Sequence, residues 1–457
     1  MNRRDLAGPA GRLAAFALGS SLVAAGTLAF GPYEKGELPP SELGEHGAMA
    51  MDAQKALARE LLPDRDVTAA PPAIAPHVWK ALVPHDNEMT PARVALGEAL
   101  YFDVALSRDG TVACATCHDA SRGFTDQRPV SEGIGGALGR RNAPTTMNAF
   151  FYETLFLDGR AASLADQARF PPVNPVEGGH PDRASVEQAI RSDPKYEGMF
   201  QEAYGTKPDY DGMVRAIAAY ERTLVFLDSP FARFLAGDED AISEQAKRGF
   251  ALFNGKARCV ACHQMFPANP IGTDNRFHNI GVAARTQDFE KLAEDALDAL
   301  REGDGPEAVD QLALQTDLSE LGRFLVTKDR ADIGGFKTQG IQNVGVTAPY
   351  MHDGSMRTLW DVMDHYNKGG EANPFLDGGI EPLALEEDEI DDLVVFMFSM
   401  TDRRFNDQNQ AEMERQREIA RARRPFRDRD LAMRRVLPFE RRVEGRDEGG
   451  SEQEETK

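Results

Sequence analysis

Two pentapeptides constrain this chain more than anything else in it: Cys114-Ala115-Thr116-Cys117-His118 and Cys259-Val260-Ala261-Cys262-His263. Each is a C-x-x-C-H, the pattern through which a polypeptide takes up a c-type haem. The two thiols add to the vinyl groups and the histidine reaches the iron. The chain has four cysteines, and the two motifs use all of them. A zinc site made of the four cysteines would leave the histidine after each pair unexplained. The motifs therefore predict two covalent haems c, attached at Cys114, Cys117, Cys259 and Cys262. His118 and His263 are the expected proximal iron ligands.

The surroundings of the motifs also repeat. Thr90 and Pro91 start a predicted helix that runs to about Phe102 ahead of the first motif, and Ser243 starts one through Phe253 ahead of the second. Both carry a glycine beside an apolar and aromatic cluster: Gly97-Glu98-Ala99-Leu100-Tyr101 and Gly249-Phe250-Ala251-Leu252-Phe253. Each unit ends in an aromatic-bearing amphipathic helix, at Val214–Leu224 and Ile390–Met400. A pattern stated twice predicts a duplicated unit. The expected fold is mostly α, with two cytochrome c-like domains at 90–237 and 238–402, joined near Gly237-Asp238-Glu239-Asp240.

Outside these units the chain is plainer. Residues 31–89 read as a Pro-rich extension with one helix, Ala53–Leu62. An acidic insert at 287–318 has the apolar spacing of one or two surface helices. Residues 403–457 alternate Arg and Glu and read as a partly helical, mostly solvated tail. At the N-terminus, Arg3, Arg4 and Arg12 precede an apolar run from Leu13 to Phe30. This predicts a signal peptide or N-terminal anchor over 1–30, and hence a periplasmic or cell-exterior protein without disulfides. The net charge of −22 argues against nucleic acid. It suits steering toward a basic partner such as a small electron carrier, and equally a purely solubilising role.

A chain with two haems is a wire if both irons are closed and an enzyme if one is open, so the distal ligands matter. There are nine histidines, but none lies between Asp119 and Gly179, where the only methionine is Met147. His180, just beyond, reads as a surface-loop residue before it reads as a ligand.

The stretches LSRDGTVACATCH, RNAPTTMNAFF, LFLDGRAASLADQARFPPVNPVE, FHNIGV and FKTQGIQNVGVTAPYMHDGSMRTLWDVMDHYNKGG, with the second C-x-x-C-H, make the sequence from about Thr90 to Asp402 resemble the dihaem cytochrome c peroxidase and MauG superfamily. The resemblance implies a peroxidase acting on H2O2. It places Glu177 over the first haem as the proton-transfer group, with Gln167 assisting. A carboxylate beside an open iron can carry the proton that heterolysis requires. The resemblance further implies Tyr366 as distal ligand of the second haem, as in MauG-type proteins. Met363, one helical turn earlier, is the rival, as in the plain peroxidases, while His365 points about a hundred degrees away. A tyrosinate would lower the potential of that haem, and a methionine would raise it. A Ca2+ ion between the haems is implied too, held by the Asn142 side chain and the carbonyls of Thr347 and Pro349.

This sequence departs from the family pattern in places. Leu157 stands where the family has an inter-haem tryptophan, and an aliphatic side chain cannot relay by oxidation. In Lys337-Thr338-Gln339-Gly340-Ile341-Gln342-Asn343 a proline and an arginine of the usual pattern are absent. The leading expectation is a MauG-like peroxidase that passes oxidising equivalents to a small cytochrome c or copper protein, or to a protein substrate. A plain cytochrome c peroxidase and a dihaem electron-transfer cytochrome are the alternatives.

Overall fold

The computed structural model describes residues 50–62, 66–283, 288–301, 305–315 and 317–423. The expected signal segment 1–30, most of the extension before α1 and the end of the tail lie outside them. The architecture is mostly helical. The helices that shape the site are α1 (Met51–Leu61), α2 (Pro91–Tyr101), α3 (Tyr210–Glu221), α4 (Glu244–Asn254), α5 (Phe289–Arg301), α6 (Pro306–Gln315), α7 (Leu359–Asn367), α8 (Glu387–Phe398) and α9 (Asn406–Arg423). One short antiparallel ladder pairs β1 (Phe277–His278) with β2 (Phe336–Lys337), with Phe277 opposite Lys337.

Two pairs of helices cross in the same way. Thr90 Oγ1 accepts from Arg93 N (3.2 Å) and Pro91 opens α2, as the sequence predicts. Helix α2 then crosses α3 at Gly97, where a Cβ would sit 1.9 Å from the Ala216 carbonyl oxygen. Helix α4 crosses α8 in the same way at Gly249, where a Cβ would sit 2.1 Å from the Asp392 carbonyl oxygen. No residue but glycine lets two helix backbones approach so closely. Around the first crossing, Leu96, Leu100, Tyr101, Phe124 and Tyr220 form one core. Phe253, Leu359, Trp360 and Phe396 form a second. Helix α3 starts a turn earlier than its apolar pattern suggests, because Asp209 Oδ1 caps it by accepting from Gly212 N (2.6 Å).

Two segments expected at the surface are docked instead. The acidic insert forms two helices, α5 and α6, with a core of their own around Phe289, Ala296, Leu300, Val309 and Leu321. Its Asp310 is only 4% exposed. The tail begins with α9, whose Gln416 is fully buried. Gln416 Nε2 donates to Tyr350 Oη (2.8 Å), and Gln416 Oε1 accepts from Leu359 N (2.8 Å). The Arg/Glu alternation concealed this contact, because one buried amide per few turns leaves no apolar stripe. In the extension, α1 is tied to α2 by Arg59 Nε donating to Glu98 Oε1 (2.6 Å), and Arg404 Nη1 donates to the Leu61 carbonyl (3.0 Å). No described helix is long and apolar enough to cross a membrane.

Candidate functional site

The first C-x-x-C-H is a single helical turn, Cys114–Cys117, held at its start by Ala113 N donating to Thr116 Oγ1 (2.9 Å). His118 follows, and its Nδ1 lies 3.4 Å from the Phe124 carbonyl oxygen. In the second motif His263 Nδ1 lies 3.0 Å from the Gly272 carbonyl oxygen. An Nδ1–H that donates to a carbonyl leaves the Nε2 lone pair free, the arrangement a metal-ligating histidine needs. Burial lowers both imidazoles, His118 to about 4, so they stay neutral.

Burial also pushes the thiols of Cys117 and Cys259 up to about 12 and raises that of Cys114. Thiols so held stay protonated, whereas zinc binds thiolates. Among the described residues the four cysteines do not gather at one point. The one tight group of metal-binding side chains joins only Cys262 to Asp274 and His278.

Cys114, Cys117 and His118 line a cavity of about 1580 Å³, its mouth included. Glu177 and Gln167 line it too. Gln167 ends the short helix Leu164–Gln167, which Ser163 caps by accepting from Asp166 N (3.1 Å). The Glu177 loop is pinned on both sides. Glu177 N donates to the Asn174 carbonyl (3.1 Å) and its own carbonyl accepts from Ile134 N (3.1 Å). Burial, and then the negative charge of Asp310, push the Glu177 carboxyl up to about 7, with Arg160 pulling the other way. That value suits a group that must take up and release a proton near neutrality.

Arg160, of the Asp158-Gly159-Arg160 turn, lines the same cavity and stacks 3.4 Å over the Phe156 ring. Its Nη1 donates to Asp158, and its Nε and Nη2 donate to Asp310 (3.2 and 2.8 Å). Burial would raise Asp158, but Arg160 and Arg141 outweigh it and hold that carboxyl at about 2.

Among the described residues lining this cavity, His118 is the only histidine. His180 is buried, contrary to the surface-loop expectation, with Nε2 3.4 Å from the Ala105 carbonyl oxygen. It is not on the cavity wall.

Glu221 and Lys337 fall outside the site residues expected from the sequence. Glu221, at the end of α3, is 4% exposed, and one carboxylate oxygen has no hydrogen-bond partner among the described residues. Burial pushes it up to about 8. The only signal for it is its place four residues after Ile217, on the helix face that meets the cavity. Lys337 Nζ donates to Thr154 Oγ1 (2.6 Å), and burial lowers the amine to about 8. Its backbone N–H donates to the carbonyl of Leu157 (2.8 Å), so the two halves of the chain meet at the family's tryptophan position. Gln342, where the family has arginine, is buried, and its amide nitrogen has no partner among the described residues.

In the second unit Thr358 caps α7 reciprocally with Asp361. Tyr366 lies near its end. Burial and the neighbouring Cys259 and Cys262 raise its phenol, so the ring faces the second motif. Met363 is 5% exposed and belongs to the same apolar cluster as Cys259 and Tyr366. His365 Nε2 contacts the Ile280 carbonyl oxygen (2.8 Å), on another side of the helix. At the expected calcium position, Asn142 Nδ2 donates to the Arg128 carbonyl (2.7 Å), which leaves Oδ1 as the available donor. Asn142 N donates to the His352 carbonyl (2.8 Å), next to the stretch that carries Thr347 and Pro349. The protonated thiols, the anchored imidazoles, the unpartnered Glu221 oxygen and the Tyr366 ring packed in the Cys259 cluster fit two haems c.

A family model described as di-haem cytochrome c peroxidase matches residues 91–240. The cytochrome-c peroxidase IdrP1 of Denitromonas iodatirespirans is 38% identical over 335 residues, covering 70% of this chain and 85% of that protein. The methylamine utilization protein MauG of Methylorubrum extorquens is 37% identical over 319 residues, covering 69% and 80%. A crystal structure of a MauG-like protein associated with microbial copper homeostasis superposes with a TM-score of 0.58 at 30% identity, covering 70% of this chain and 92% of that one.

Proposed function

We propose the following for a chain that belongs to the di-haem cytochrome c peroxidase family: it is a MauG-like peroxidase that activates H2O2 in the first cavity and passes oxidising equivalents outward through the second unit. Cys114, Cys117 and His118 hold one haem c, and Cys259, Cys262 and His263 hold the other. When bound, these groups supply the redox-active iron and the electrons for O–O cleavage. Glu177 takes the proton from the near oxygen of H2O2 and returns it to the far oxygen, which leaves as water. Gln167 orients the peroxide from the same wall. Asn142 Oδ1 and the carbonyls of Thr347 and Pro349 hold Ca2+ between the two units.

The observation that carries this reading is that Glu177 lines the same cavity as Cys114, Cys117 and His118, while no second histidine lines it among the described residues. A wire would need a ligand there. Replacing Glu177 by Gln should slow the reaction with H2O2 by about a hundredfold while both haems stay attached. An unchanged rate would remove Glu177 from the mechanism.

Tyr366 as ligand of the second haem makes the protein MauG-like. A specific observation also favours a plain cytochrome c peroxidase: Met363 is buried in the same cluster. Spectra of the ferric protein before and after Tyr366→Met decide between them, because a tyrosinate ligand gives way to a thioether only if Tyr366 is bound. The electron donor is a small cytochrome c or copper protein, or an aromatic side chain of a protein substrate. The net charge of −22 suits a basic docking face on it. The Arg-led apolar N-terminal run supports a periplasmic or cell-exterior location.

A further inference from the structure

The acidic insert has no place in the mechanism above, yet the structure puts it against the peroxide cavity. Helix α6 contributes Leu314 to the cavity wall. One turn earlier on the same face, Asp310 is 4% exposed and accepts three hydrogen bonds from the first unit. Two come from Arg160 Nε and Nη2 (3.2 and 2.8 Å), and the third from Asn174 Nδ2 (2.6 Å). Asn174 belongs to the loop that carries Glu177, and its Oδ1 accepts from Val176 N (2.9 Å). The rest of the insert is fastened to the same unit. Arg183 pairs with Glu307 (3.1 Å) and Arg140 with Asp317 (3.3 Å), and just past the insert Arg141 Nη2 donates to the Ser319 carbonyl (2.6 Å). The acidity is therefore spent in part on arginines of the first unit and not only on solvent.

We propose that helix α6 is a wall of the first haem cavity, with Leu314 limiting the size of peroxide admitted, and that Asp310 is a positioning residue for Glu177. Asp310 acts through Arg160 and Asn174, and this rests on the reading of Glu177 as the proton-transfer group. The guanidinium of Arg160 is shared between Asp158 and Asp310, so its charge is largely answered before it reaches Glu177. Without the Asp310 charge, Arg160 would draw on the Glu177 carboxylate, and the Asn174 amide would lose its acceptor. The other charged or titratable groups lining the cavity are Arg141, Lys337, Glu221, His118, Cys114, Cys117 and Tyr152, and none of them has a hydrogen bond to Asp310 among those described.

The test uses the full chain with two haems attached, in wild type and in Asp310→Asn, Asp310→Glu, Leu314→Ala and Glu177→Gln. In wild type the rate with H2O2 should rise with pH as the Glu177 carboxylate forms. In Asp310→Asn that limb should move down by about one pH unit, and amide exchange of residues 171–180 should quicken. Asp310→Glu should bring both back toward wild type. A purely structural loss would lower the rate at every pH and leave the limb in place. With Leu314→Ala, the rate with cumene hydroperoxide relative to H2O2 should rise about tenfold. The positioning role is overturned if Asp310→Asn changes neither the limb nor the exchange of 171–180, and the wall is overturned if the peroxide ratio does not move. Should the limb persist in Glu177→Gln, the Glu177 reading fails, and exchange of 171–180 then decides the Asp310 clamp on its own.

Discussion

The two C-x-x-C-H units begin alike and end differently. Each crosses two helices at a glycine, and each anchors its histidine through Nδ1 on a carbonyl. Beyond that, the first motif is surrounded by ionisable groups: Glu177, Glu221 and Arg160 of its own unit, and Lys337 of the second, all line its cavity. The second packs Tyr366 and Met363 into an apolar cluster with Cys259. The shared half is the part proposed to hold a haem, and the unshared half would decide what that haem can do. A cavity with titratable walls can move protons, while an apolar one with a single phenol can tune a potential and not much else.

The comparison can be broken most sharply at Glu177. Its replacement by Gln should cost the first unit about a hundredfold in peroxide rate, whereas Tyr366→Phe should leave H2O2 binding in the first unit intact and alter only the spectrum of the second haem. Stopped-flow kinetics paired with EPR of the ferric protein separates the two. Equal kinetic losses in both variants would mean that the units are not divided in this way.

The next effect is structural and should be symmetric. Gly97→Ala and Gly249→Ala each drive a Cβ into a facing carbonyl, at a cost of about 1–3 kcal/mol or more. Thermal melts and haem content of the two variants should therefore fall together. If only one falls, the duplicated crossing is not equally important to both units.

The smallest effect concerns pH. A carboxyl set at about 7 is mostly protonated below that pH and mostly ionised above it. As the proton acceptor, Glu177 should make the peroxide rate climb through neutrality. A profile flat from pH 5 to 9 would show that its charge state does not limit the reaction.

Much of the first unit was legible because its signals are local. A C-x-x-C-H works through residues within one turn of one another, and a capping Thr-Pro or a glycine beside an aromatic pair marks its own helix. Glu177 and Gln167 are ordinary residues in isolation and became readable only within the family's P-V-E and A-D-Q-A stretches. The places where expectation and structure part are all long-range. His180 lies in a turn-rich stretch that reads as surface, but its ring is buried against Ala105. The insert reads as a solvated amphipathic pair, but Asp310 finds Arg160 across 150 residues of sequence. The Arg/Glu tail reads as solvated, but Gln416 reaches Tyr350 and Leu359 through a single buried amide.

By itself, then, the sequence supplied the two C-x-x-C-H motifs, the residues proposed to hold two haems, and a helical pattern stated twice, because those signals lie in residues close together in the chain. Only the tertiary structure decided which carboxyls share a cavity with the first motif and which charges answer them. Those relations are set by burial and distance between segments far apart in sequence, and no local spacing records them.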